Sequence, residues 1–190
     1  FILNGTDTIV LTVFSTLDNV SVYSVYHMVV YGVHQLYQSA TAGVHALVGD
    51  LWAKQEIKRL QRFYDYIEII LHFSTVFLFS CTGILIIPFI SVYTRGIADI
   101  NYIQPVFGIL IVLAHAAQCI KTTYNIIILA GGHYKQTQKC HIISAILNIV
   151  ISIGCVYKYG LIGVALGTVI SMMYQMVWMA FYDSINLLKR

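Results

Sequence analysis

The residues that could do chemistry in this chain are ionisable and amide groups set inside apolar runs. His27 and His34 lie seven residues apart, and His45 eleven further on. Tyr31 and Gln38 each follow a histidine by four. At helical spacing these groups share one polar and aromatic stripe. Such a stripe suits a wet cavity and a sugar-bearing ligand, through hydroxyl hydrogen bonds and ring stacking. The alternative is histidines that bond to neighbouring helices or sit at the membrane interface. Seven residues span roughly 10 Å along a helix, too far for joint metal ligation, so no metal is expected. In a second apolar run Lys121 has Gln118 three residues before it and Asn125 four after. His115 is less well aligned with them. A cation flanked by amides offers a seat for a phosphate or pyrophosphate; the alternatives are a lysine snorkelling to the surface or an ion pair with Asp7. Asp7 itself could pair with Lys121, carry a coupling proton, or close a polar contact between helices. Asp183 and Glu68 read as interfacial.

The elements that position these groups follow from composition. Of 190 residues, 58% are hydrophobic and only 10% charged, against about 25% charged in soluble domains. The class is an all-α, polytopic membrane helical bundle. Six apolar segments cover about 1–17, 20–48, 66–93, 102–130, 140–157 and 161–182. Between the second and third, DLWAKQEIKRLQRFYDY carries Ala53, Ile57, Leu60, Phe63 and Tyr64 at helical spacing, with Lys54, Lys58, Arg62 and Asp65 on another face. The pattern predicts an amphipathic interfacial helix over about 50–65; an extension of the preceding helix is the alternative. The chain opens on Phe1 without a signal-peptide pattern and reads as a piece of a larger protein.

Basic residues orient the bundle. If six helices cross in turn, Lys54, Lys58, Arg59, Arg62, Lys135, Lys139, Lys189 and Arg190 share one side, and only Arg95 and Lys158 share the other. Positive charge accumulates on the cytoplasmic side, which predicts a cytoplasmic C-terminus. The four cysteines show no paired spacing and read as small buried groups. There is no phosphate loop, nucleophile elbow or HExxH motif, so no cofactor and no enzymatic activity are expected. Basic residues are too few for a nucleic-acid site.

Three glycines in GLIGVALGTVIS, at 160, 163 and 167, would each cost a lone helix about 1 kcal/mol. A helix keeps them when a neighbour packs closely against them. Ser144, Asn148, Ser152 and Cys155 form a small, polar stripe on the preceding segment, and the two faces are expected to meet.

The ordered series NIIILAGGHYKQTQ, AILNIVISI and YGLIGVALGTVIS, together with the early NGTDTIVLTVFSTLDNVSVYSVYHMV, resembles the C-terminal lobe of Wzx-type polysaccharide flippases. These belong to the multidrug/oligosaccharidyl-lipid/polysaccharide exporter superfamily. The resemblance covers essentially the whole chain. It implies one six-helix lobe facing an N-terminal lobe across a central cavity. It also implies transport of an undecaprenyl-pyrophosphate-linked oligosaccharide across a bacterial cytoplasmic membrane, with the lipid tail left in the bilayer. A drug or cation antiporter of the same superfamily would favour acidic cavity residues. A membrane-embedded glycan polymerase or glycosyltransferase would need a large outer loop or an acidic motif, and a scaffold would need no polar stripes.

Overall fold

The computed structural model describes residues 2–97 and 100–188. Phe1 and the basic tail residues Lys189 and Arg190 lie outside them. The helices are α1 (Ile2–Phe14), α2 (Leu17–Ala53), α3 (Ile57–Tyr93), α4 (Pro105–Ala130), α5 (Tyr134–Tyr159) and α6 (Leu161–Asp183). A π-helical turn, Ser184–Leu188, continues α6. Among the described residues, four helices are long and apolar enough to cross a membrane: α3, α4, α5 and α6 with its extension to Leu187. The protein is a multi-pass membrane bundle. Helices are the form such apolar stretches must take, because lipid offers backbone groups no partner outside the segment itself. α2 is as long as α3, at 37 residues, but it is too polar along its length to join that set.

Local chemistry sets the breaks. Thr16 caps α2, its hydroxyl accepting from the Asn19 N–H at 3.4 Å, and Asp18 favours the positive end of the helix dipole. Pro105 opens α4, where its missing N–H costs nothing. Gly160 alone separates α5 from α6, at φ 53° and ψ −125°, a conformation that a side chain would strain.

The expected separate interfacial helix is not present. Residues 50–53 are the last turn of α2, residues 54–56 form a tight turn with Gln55 at φ 58°, and 57–65 are the first turns of α3. Two apolar residues of this stretch continue the core stripe of α3. Leu60 and Tyr64 are fully buried, and Tyr64 donates to the Thr123 carbonyl of α4 at 3.0 Å. The charged face carries the exposed pairs Asp50–Lys54 and Glu56–Arg59, which contribute little to stability.

α6 lies at the centre, packed along α4 on one side and α5 on the other, while α4 and α5 scarcely touch. α2 and α3 pack on α4; α1 packs on α5, α2 and α6. Tyrosines fasten the first group. The Tyr26 hydroxyl donates to the Tyr102 carbonyl at 3.1 Å and accepts from the Gln104 N–H at 2.9 Å, tying α2 to the entrance of α4. Its ring meets Phe107 edge-on at 5.1 Å.

Backbone proximity fastens the second group. A Cβ at Gly163 would stand 2.5 Å from both the carbonyl carbon and oxygen of Cys155. One at Gly167 would strike Ser152 and come 3.1 Å from the Asn148 carbonyl oxygen. The glycine face and the small polar stripe meet as their spacing predicts. A methyl group at 163 has only backbone to push against, so Gly163→Ala should cost about 2–3 kcal/mol, as core overpacking does. Gly154→Ala, where a Cβ meets nothing within 4 Å, should stabilise slightly, by up to about 1 kcal/mol. Thermal melting of the two variants in detergent checks this; equal midpoints would refute the close contact.

Candidate functional site

Among the described residues, the polar groups singled out from sequence fall into three clusters. The first surrounds Asp7, which is 2% exposed. Its carboxylate accepts from Thr168 Oγ1 at 2.6 Å, Tyr23 Oη at 3.2 Å and Asn148 Nδ2 at 3.3 Å. Asn148 also donates to Thr168 at 3.2 Å. Four helices (α1, α2, α5 and α6) converge on this one anion through neutral donors. Each such bond to a charged acceptor is stronger than a neutral one. Beside it lies a cavity of about 10 Å³, lined by Asp7, Tyr23, His115, Gln118 and Thr168 among others, which is about the space one water needs.

The second cluster surrounds Lys121, 9% exposed. Its ammonium donates to Gln175 Oε1 at 3.0 Å. Gln175 Nε2 donates to Ser144 Oγ at 2.6 Å, and Ser144 donates to the Ser171 carbonyl at 3.0 Å. The chain runs from α4 through α6 to α5. The Asp7–Lys121 ion pair considered above is not formed; Asp7 is met by neutral donors of α2, α5 and α6, and Lys121 by the Gln175 amide of α6. Nor do Gln118 and Asn125 converge with Lys121 on one cavity. Gln118 turns to the small cavity beside Asp7, and Asn125 lines a groove between α4 and α5. On the helix Gln118 and Asn125 share one side, about 20° apart, but seven residues separate them by roughly 10 Å along the axis, enough to send them to different cavities.

The third cluster is the α2 stripe. Tyr23, His27 and Tyr31 stack as a ladder, with ring centroids 5.5 Å apart and planes 16° from parallel at each step. Tyr31 and His34 follow at 6.2 Å, and Gln38 Nε2 lies 3.3 Å from His34 Nε2. His115 of α4 stands edge-on to both His27, at 5.5 Å, and His34, at 6.2 Å. His45 joins none of these ring contacts.

The hydrogen bonds assign the protons. His115 Nδ1 must donate to the Ile111 carbonyl at 3.0 Å, which leaves Nε2 with a free lone pair. An amide N–H from Gln38 makes His34 Nε2 the acceptor, so its Nδ1 carries the proton. His34 Nδ1 and His115 Nε2 are both buried and both lack a partner, as does His27 Nε2. One ring thus offers a proton and its neighbour a lone pair. A hydroxyl, being both donor and acceptor, satisfies such a pair; a metal does not suit it, and among the described residues no group of three ligands could hold one.

Several participants were not singled out from sequence alone. Thr168, Ser171 and Gln175 form a polar stripe on the buried face of α6, legible as spacings of three, four and seven. Tyr23 extends the α2 stripe one step upstream. Asp183, read as interfacial, is 2% exposed.

The Lys121 network predicts an asymmetry. Gln175→Leu should leave a buried ammonium without its acceptor and cost about 2–4 kcal/mol. Lys121→Met should cost less, about 1–2 kcal/mol, because it leaves the buried Gln175 carbonyl unpaired but strands no charge, and Lys121→Met with Gln175→Leu should regain most of the larger loss. Thermal melting of the three proteins decides it; a Lys121→Met loss as large as that of Gln175→Leu would show that the ammonium is the stabilising partner. No protein-family model, curated protein or solved structure matches this chain.

Proposed function

We propose that this bundle is one lobe of a flippase for a lipid-linked oligosaccharide, of the Wzx-type resemblance described above. The observation that carries the reading is the outer face of α2. Along the middle of α3 the exposed surface is mainly Ile, Phe and Val, as at Phe73, Phe77, Ile84 and Val92. α2 instead exposes Ser24, Tyr31, Gln35 and Ser39 along one line, and Gln35 donates to the Tyr31 hydroxyl. A polar face on a membrane helix is costly against lipid and belongs beside a hydrated cavity or a polar partner. Rings with amides and hydroxyls between them suit sugars, whose faces stack and whose hydroxyls both donate and accept. In this reading an N-terminal lobe of the same protein closes the cavity over α2. Lys121, one layer behind His34, adds positive potential for a pyrophosphate. Asp7, which ties four helices, is the coupling residue. The membrane would be the bacterial cytoplasmic membrane.

A second reading, a cation antiporter, draws on one observation: the buried Asp7 carboxylate has only neutral donors around it. The two part experimentally. In the native host, Tyr31→Ala and His34→Ala should each lower surface glycan several-fold at unchanged membrane levels of the protein. Lys121→Arg should retain more export than Lys121→Ala, because the charge remains. Unchanged glycan with greater sensitivity to cationic dyes would overturn the flippase reading in favour of the antiporter.

Orientation is checked separately. In a background without native cysteines, single cysteines at positions 56 and 136 should be shielded from membrane-impermeant thiol reagents, and one at 97 should react. The opposite labelling would place the basic turns outside and reverse the direction of transport.

A further inference from the structure

α4 and α5 are successive helices, yet each packs on α6 and they barely meet each other. A groove of about 730 Å³ opens between them, within the roughly 300–1,000 Å³ of small-ligand sites. Its two ends differ. Toward the start of α5 it is lined by Tyr134, Gln138 and His141, with Asn125 across from them on α4. Further along α5 it is lined by Ile142, Ile146 and Ile149, all of them exposed.

Charge selects the occupant. Neither wall helix contains a single Asp or Glu. Lys135 and Lys139 are exposed in the first turns of α5, and Lys135 lies on the same side of the helix as Gln138 and Ile142. The polar end therefore favours an anion, beside a tyrosine of the kind found at membrane interfaces. Length selects further. Tyr134 to Ile149 spans about 22 Å along the helix, which accommodates a headgroup and most of the ~15 Å of hydrocarbon in one leaflet.

We propose that the α4–α5 groove binds an anionic phospholipid, its phosphate held by Lys135, Gln138 and His141 and one acyl chain lying along Ile142, Ile146 and Ile149. The lipid fills the seam that protein contacts leave open. The site lies apart from the outer face of α2, so it stands or falls independently of the flippase reading.

The full-length protein, delipidated in detergent and offered dioleoyl phosphatidylglycerol or dioleoyl phosphatidylcholine, tests this by native mass spectrometry and thermal melting. One phosphatidylglycerol should be retained per chain, and it should raise the melting midpoint; phosphatidylcholine should be retained several-fold less. Lys135→Glu, at an exposed position, should erase that preference. Ala145 also lines the groove, and Ala145→Trp should fill it and abolish retention of both lipids. Ile146→Ser, also exposed, should weaken retention and keeps the location testable if Ala145→Trp does not fold. Equal retention of the two lipids, or a preference unchanged in Lys135→Glu, would overturn the anion site. Full retention in the folded groove variants would overturn its location.

Discussion

The arrangement depends on how closely α5 and α6 approach. Lipid supplies no hydrophobic force between helices, so association rests on van der Waals contact and polar bonds. Gly163 and Gly167 let the α6 backbone approach that of α5 without an intervening side chain. At that separation short polar groups can bridge the seam. Asn148 reaches Thr168, and Ser144 reaches both Gln175 and the Ser171 carbonyl. If the helices stood further apart, as an Ala or Leu seam would hold them, these bonds would be lost together, and the donors around Asp7 would disperse.

Two opposite charges are buried in the same bundle, and they are kept apart. Asp7 is held by α5 and α6 at the level of Thr168, and Lys121 by α6 at the level of Gln175, seven residues further along. That is roughly 10 Å along the helix. Asp7 is solvated by two hydroxyls and an amide, and Lys121 by one amide oxygen, in place of a counter-ion. Such an arrangement forgoes the Coulombic gain of a pair, but it leaves both charges available to respond to what approaches them.

Much of the fold was legible in the sequence because lipid imposes a strong pattern. The apolar runs coincide with the helices, and the glycines at 163 and 167 announced a close neighbour. The helix ends were less legible. Apolar periodicity at Leu60 and Tyr64 looks the same whether it faces a membrane surface or Thr123 of α4, and only the partner distinguishes them. The candidate site divides in the same way. The α2 stripe could be read because all its members lie on one helix, where spacing is geometry. The partners of Lys121 and Asp7 come from other helices, and their sequence separations of 54 and 161 residues carry no angular information. His115 was visible but looked misaligned, since its alignment is with His27 and His34 and not with Lys121.

The bond between Lys121 and Gln175 acts as a register pin. α4 and α6 form one of the two most extensive seams of the bundle, and it joins the α2–α3–α4 group to the α1–α5–α6 group. An apolar seam could slide by a helical turn, about 5.4 Å, and find nearly equivalent packing. Here that displacement would bring the ammonium opposite Ser171 in one direction or Met179 in the other. In the first case a hydroxyl already bonded to the Thr168 carbonyl awaits it; in the second only a thioether does. The pin thus turns a continuous slip into a step between unequal stops, and the unequal stops give the seam a direction.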